Sequence, residues 1–197
     1  MDRAAQHLHS VFGFPDFRPG QAEIVQSVLE GRNTLAIMPT GGGKSLCFQV
    51  PTLAGEGVCI VVTPLIALMK DQVANLKKRG IKALAVHAGM TREEIDIALD
   101  NAAYGTFKFL YLSPERLTTE ILQARLPKMK INLLAVDEAH CISQWGYDFR
   151  PAYLKIADIR PLIPGVPILA LTATATLRVK EDIQLRLQLE QQNVFLN

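Results

Sequence analysis

The chain of 197 residues is 49% hydrophobic and 20% charged, enough for one well-cored domain and unlike a disordered polypeptide. Its net charge of +2 neither demands nor excludes a nucleic-acid partner. No apolar run approaches the roughly 18 residues of a membrane span, Met1 to His7 contains no signal-peptide core, and Cys47, Cys59 and Cys141 lie far apart without a C-x-x-C pair, so the expectation is a cytosolic chain with no membrane contact, disulfide framework or zinc.

In chain order, Ala4 to Phe12 reads as a short amphipathic helix that Gly13 and Pro15 end. Gln21 to Leu29 reads as a second, with Ile24, Val25 and Val28 inward and Gly31 beyond its end. The loop between them, Phe14 to Gln21, holds two aromatics and an arginine; its plain reading is a hydrophobic plug that caps the domain. Thr34 to Met38 is a short buried strand, followed by Pro39-Thr40-Gly41-Gly42-Gly43-Lys44-Ser45, and Leu46 to Val50 open a helix. Three glycines without Cβ atoms let backbone N–H groups close on an anion, and the helix N-terminus behind them adds its dipole. Lys44 supplies a mobile charge for outer phosphates and Ser45 a hydroxyl suited to Mg²⁺, the pattern of nucleoside triphosphatases, although Met38 stands where the usual spacing has glycine.

From there strands and helices alternate. Val58 to Val62, Ala83 to Val86, Phe109 to Leu112, Leu133 to Val136 and Ile168 to Leu171 are continuous apolar runs, as strands buried on both faces should be. Leu65 to Arg79 is a helix with Leu65, Leu68, Met69, Gln72, Val73 and Leu76 on one side and Gly80 at its end. Thr91, with Glu94 at capping-box distance, starts another that carries Ile95, Ala98, Leu99 and Ala102 inward and stops at Gly105. The alternation predicts a single α/β domain over residues 1–197, a mostly parallel, doubly wound sheet with right-handed crossovers and helices on both faces.

The polar clusters follow the strands: Lys44 and its loop, Thr63-Pro64-Leu65, His87-Ala88-Gly89, Ser113 to Arg116, Asp137 to His140 and Thr172-Ala173-Thr174. In a parallel sheet these exits share one edge, where ligands bind. Asp137 can hold Mg²⁺ opposite Ser45, and Glu138 can orient or deprotonate a water. The Thr172-Ala173-Thr174 hydroxyls suit sensing or coupling, and equally a turn or helix cap. After His140 comes Gln144-Trp145-Gly146-Tyr147-Asp148-Phe149-Arg150, where exposed aromatics could stack on unpaired bases; core packing of Trp145 and Phe149 is the competing reading.

These motifs together resemble the RecQ family of superfamily 2 DNA helicases. The phosphate loop is similar to that superfamily's variant, which tolerates a non-glycine where Met38 stands, and Asp137-Glu138-Ala139-His140 resembles its hydrolysis motif. Leu8, Phe12, Gly13, Phe17, Arg18 and Gln21 have the spacing of the RecQ adenine-recognition motif. The resemblance implies that Phe14 and Arg18 pack on adenine while Gln21 bonds its edge. It makes Ser143 to Pro151 the aromatic-rich loop coupling single-stranded DNA to hydrolysis, Thr172-Ala173-Thr174 motif III, and the surfaces near Thr63, Lys70, His87 and Ser113 to Leu117 DNA-backbone contacts.

The expectation is thus a RecA-like first motor lobe of a 3′-to-5′ DNA helicase of repair and recombination, using ATP and Mg²⁺, intracellular in the cytoplasm (nucleoid-associated) or nucleus. Thr40, Gly41, Gly42, Gly43 and Lys44 would hold phosphates, Ser45 and Asp137 the metal, and Glu138 the attacking water. His140, Gln144, Trp145, Phe149, Arg150, Thr172 and Thr174 would couple it to single-stranded or partly duplex DNA. The family's second lobe with its arginine fingers, zinc-bearing region and winged helix lie outside these residues, so the chain alone is expected to bind Mg·ATP weakly, with little hydrolysis and no unwinding. Two rivals stay open: an RNA helicase lobe of the same superfamily, and a non-catalytic nucleotide- or DNA-binding module.

Overall fold

Strand burial organises the molecule. In the computed structural model, which describes residues 1–189 and 194–196, the strands are β1 (Thr34–Ile37), β2 (Val58–Val62), β3 (Ala83–Val86), β4 (Phe109–Leu112), β5 (Ile131–Val136), β6 (Ile168–Thr172) and β7 (Val194–Leu196). They pair in the order β3-β4-β2-β5-β6-β1-β7, each neighbour parallel. Register follows the apolar pattern, with Ile37 beside Thr172 and Val62 beside both Leu112 and Val136. The C-terminal ends therefore lie level along one edge.

Successive side chains of each strand feed opposite cores, as the pleat requires. Leu35, Ile60, Val62, Leu110, Leu112, Leu134, Val136 and Ala170 point to one side. There they meet α5 (Arg92–Tyr104) through Ile95 and Leu99, and α7 (Leu177–Leu187) through Val179, Ile183 and Leu187. Ala36, Cys59, Val61, Phe109, Tyr111, Leu133, Ala135 and Leu171 point to the other side. Covering them are α1 (Asp2–Phe12), α2 (Gln21–Leu29), α3 (Leu46–Ala54) and α4 (Ile66–Lys78). The short α6 (Glu120–Gln123) and several single turns of 3-10 helix complete the first side. The result is the expected three-layer α/β architecture, and all three cysteines are buried packing residues.

Local chemistry sets the boundaries. Gly13 takes a left-handed φ of 77° and its N–H returns to α1 at His9, closing the helix. At α5, Thr91 accepts from the Glu94 N–H while the Glu94 carboxylate accepts from the Thr91 N–H, the reciprocal capping box read from sequence. Three expectations need adjustment. Leu65 is not on the inner stripe of α4: it precedes the first turn in extended backbone and is 49% exposed. The fifth strand starts at Ile131, two residues before the expected Leu133, because Ile131 pairs with Val58 before a register shift. The edge strand β7 and the helix α7 add to the expected elements, and Thr176 accepting from the Val179 N–H, then Val179, Ile183 and Leu187 at four-residue intervals, carry the helix signal. Among the described residues no helix is long and apolar enough to cross a membrane.

Candidate functional site

The phosphate loop is a backbone cradle clasped from outside. Gly41 and Gly43 take φ values of 79° and 78°, which L side chains resist, and the Gly42 N–H bonds Pro39 O at 2.9 Å. A Cβ at Gly43 would collide with the Gln21 amide. Gln21, only 1% exposed, donates through Nε2 to Gly42 O at 3.1 Å and Gly43 O at 3.2 Å. Its Oε1 accepts from the Arg18 N–H at 2.9 Å, and the Arg18 guanidinium donates to Gly41 O. The N-terminal motif thus fixes which way the carbonyls of Gly41, Gly42 and Gly43 face. Phe14 is exposed, while Phe17 packs partly against the core; the plug is half realised. Thr40 is exposed at the tip, Ser45 sits at the start of α3, and the Lys44 ammonium rests 3.4 Å from Met38 O.

At the end of β5 the Asp137 N–H bonds Val62 O, holding the carboxylate where the strand leaves the sheet. Asp137 is 6% exposed, and burial, followed by the nearby Glu138 charge, pushes its carboxyl up to about 6. The Glu138 N–H and Lys44 pull the other way. Glu138 occupies the left-handed region at φ 49°, an uncommon conformation for a residue with a side chain, and it turns the chain directly into Ala139–Ile142. Tyr153 secures the same turn by donating its hydroxyl to Asp137 O at 2.9 Å.

His140 joins the acidic turn to the next strand. Its Nδ1 lies 2.9 Å from Thr172 Oγ1 and 3.3 Å from Glu138 Oε2. The Thr172 hydroxyl donates to Thr174 O at 3.2 Å, so its oxygen is left to accept from Nδ1–H, which selects that tautomer. Burial lowers the His140 pKa, against the pull of Glu138 and Asp148, and keeps the ring neutral near pH 7. Tyr147 stacks on the same ring at 4.3 Å with planes 21° apart.

The aromatic loop is a surface. Trp145 is 57% and Tyr147 75% exposed, so core packing does not hold for Trp145, and Phe149 is half-buried. Gln144 is exposed beside them. The Arg178 guanidinium of α7 lies 3.3 Å from the Trp145 ring centre, and a cleft of about 370 Å³ runs between the loop and the start of α7, lined by His140, Trp145, Tyr147, Thr174 and Val179. Arg150 bonds Asp148 through Nε and Nη2, both 3.1 Å, and reaches Pro64 O at 3.4 Å, tying the loop to the exit of β2. Arg116 similarly donates to His87 O across two strand exits, while Lys70 is exposed on α4.

The edge therefore gathers the phosphate loop, Asp137, Glu138, His140, Thr172 and the aromatic loop. The Gln21 clasp, the Tyr153 brace and the Arg178 contact escape sequence reasoning, because each pairs residues whose spacing carries no periodic or motif signal. The donor set suits a hard cation: Asp137 is a buried carboxylate whose charge is incompletely compensated, and the Ser45 hydroxyl belongs to the loop that faces it. Those two residues would hold Mg²⁺, which supplies charge neutralisation on phosphate oxygens when bound.

The model of the DEAD/DEAH box helicase family matches residues 18–183. The chain is 44% identical to a probable ATP-dependent DNA helicase RecS of Bacillus subtilis, over 100% of its own length and 40% of that protein's. It is 46% identical to the ATP-dependent DNA helicase RecQ of the same organism, over 98% of the chain and 33% of the relative. With the RecQ of Pasteurella multocida it shares 44% identity over 96% of the chain and 30% of the relative. The chain thus spans 30–40% of the length of these relatives. Among solved structures, the Pyrococcus furiosus Hef helicase domain superposes with a TM-score of 0.69 at 22% identity, covering 91% of this chain and 38% of that one. The DUF1998 helicase MrfA, bound to DNA and AMPPNP, gives 0.77 at 16% identity, covering 100% and 29%. These two structural likenesses bear on the fold alone.

Proposed function

The chain belongs to the DEAD/DEAH box helicase family, with RecQ helicases as relatives over its whole length, and from that premise we propose that it is the ATP-binding motor lobe of a RecQ-type 3′-to-5′ DNA helicase. The observation that carries the reading is the continuous connection from Glu138 through His140 to Thr172 on one side and to Tyr147 on the other. It links the acidic turn to the exposed aromatic loop through direct side-chain contacts.

In this reading Gly41, Gly42, Gly43 and Lys44 bind the phosphates, with Thr40 at the loop tip, and Phe14 and Arg18 cover the base. Gln21, buried with both ends of its amide engaged, acts on loop geometry through the Gly42 and Gly43 carbonyls instead of bonding the base edge. Glu138 orients the attacking water and accepts its proton. His140 donates from Nδ1 to Thr172 while keeping that nitrogen beside Glu138 Oε2, and shifts when Tyr147 leaves its ring to stack on a base. Trp145 and Phe149 offer further stacking area, Gln144 and Arg150 polar contacts to the strand, and Thr172 and Thr174 pass the change to β6. A second RecA-like lobe in cis completes the site with an arginine, and the assembled protein acts on single-stranded and partly duplex DNA in repair and recombination.

The test uses the natural full-length protein. Single-stranded DNA should stimulate ATP hydrolysis more than single-stranded RNA does. Trp145→Ala should weaken DNA binding by about 5- to 100-fold, the loss of one stacked base. Equal or greater stimulation by RNA would favour the RNA helicase reading, and absence of any Lys44-dependent hydrolysis would favour a binding module.

A further inference from the structure

His140, Cys141 and Asp148 bring a nitrogen, a sulfur and a carboxylate oxygen together beneath the aromatic loop, their ligand atoms all within 4.8 Å of one another. The Cys141 Sγ lies 3.7 Å from His140 Nε2 and 3.7 Å from Asp148 Oδ2. A tetrahedral ion with bonds of about 2.0 to 2.3 Å separates its ligands by roughly 3.5 Å; the two contacts of the thiol already have that spacing, and the histidine and carboxylate close toward each other on loading. The tautomer matters here. Nδ1 carries the proton toward Thr172 and Glu138, which leaves the Nε2 lone pair on the side of the thiol. A histidine whose other ring nitrogen donates to a fixed oxygen in this way is held in the orientation a metal needs. Arg150 donates through Nε and Nη2 to that same Oδ2 and fixes the carboxylate beside the thiol, leaving Oδ1 without a share in these bonds.

We propose that His140 Nε2, Cys141 Sγ and Asp148 form a site for a borderline-soft divalent cation, zinc being the ion this donor set fits, and that the bound ion clamps the aromatic loop to the acidic turn. Mixed nitrogen, sulfur and oxygen ligands select Zn²⁺ or Cd²⁺ over Mg²⁺, which takes oxygen. On loading, the thiol proton passes to solvent, the thiolate and carboxylate bond the ion, and one position remains for water. Cys141 is fully buried, so the ion enters past the half-exposed Asp148. Residues 140 to 148 then become a closed chelate loop, and Tyr147 and Trp145 lose the freedom to rearrange. The expectation of no zinc rested on motif spacing, and these ligands are adjacent and then seven apart, outside the usual metal patterns.

The test requires neither nucleotide nor DNA, so it stands or falls apart from the helicase reading. The chain is titrated with Cd²⁺, and with Zn²⁺ against a chromophoric chelator. Thiolate-to-metal absorption is followed together with emission from Trp145, the single tryptophan. One equivalent of Cd²⁺ should produce the thiolate band and alter Trp145 emission, with excess Mg²⁺ not displacing it. Cys141→Ser should abolish the band, and Asp148→Asn, at a half-exposed position, should weaken binding at least about tenfold with a far-UV circular dichroism spectrum that matches the parent's. No band in the parent, a band that persists in Cys141→Ser, or unchanged affinity in Asp148→Asn would each overturn the proposal.

Discussion

Asp137 shows what a site residue costs. Its carboxyl is raised to about 6, chiefly by burial, so the folded chain holds that proton more tightly than the unfolded chain does. The associated stability is fully present below the ordinary carboxylate range, near pH 4, and is lost as pH rises through about 6. At neutral pH the ionised group thus opposes folding by something on the order of 3 kcal/mol. Asp137→Asn, which keeps an acceptor for the Glu138 N–H, should therefore stabilise the metal-free chain by about 1 to 3 kcal/mol at pH 8, with the difference fading toward pH 4. Urea unfolding of both proteins at pH 4, 6 and 8 without Mg²⁺ reads this directly. A variant less stable than the parent at pH 8 would mean that the charge is already compensated. The same argument makes Mg²⁺ stabilise the parent more than the variant, because an ion that binds only the folded state raises its stability.

Elements were legible where a repeating pattern or a cap specified them. Both cores follow from strand alternation and helix stripes, and α5 follows from the Thr91–Glu94 box. The phosphate loop and the acidic turn could be read because their chemistry is tied to consecutive residues. What could not be read depends on tertiary partners: the Gln21 amide turned onto Gly42 and Gly43, Tyr153 bracing Asp137, and Arg178 laid over Trp145. Leu65 illustrates the reverse, an apolar residue that fits the helical period but precedes the helix. The Arg178 contact joins α7 to the aromatic loop, and at an exposed ring it is worth about 0.5 to 1 kcal/mol. Arg178→Ala should therefore leave global stability nearly unchanged while freeing the loop. Acrylamide quenching of Trp145 fluorescence should rise, and identical quenching in parent and variant would show that the stacked arrangement does not hold the ring in solution.

At the scale of the molecule, the proposed functional groups among the described residues gather along one sheet edge. In the proposed reading the cradle, the Ser45–Asp137 pair and the Glu138 carboxylate would bind Mg·ATP, whereas charge developing on the transferred phosphoryl group calls for a cation from the opposite side. In this class an arginine finger raises the rate by about 10³- to 10⁵-fold. The purified 197-residue chain should accordingly bind Mg·ATP, lose that binding in Lys44→Ala, and hydrolyse ATP with single-stranded DNA at least about a thousandfold more slowly than a protein with both lobes. Binding is measured by calorimetry or nucleotide-analogue fluorescence, and hydrolysis by phosphate release. Robust DNA-stimulated release by the chain alone, abolished in Lys44→Ala, would place the missing cation within these residues. Arg18 and Arg150 would then be the first to test, since one bonds the phosphate loop and the other bridges the aromatic loop to the β2 exit.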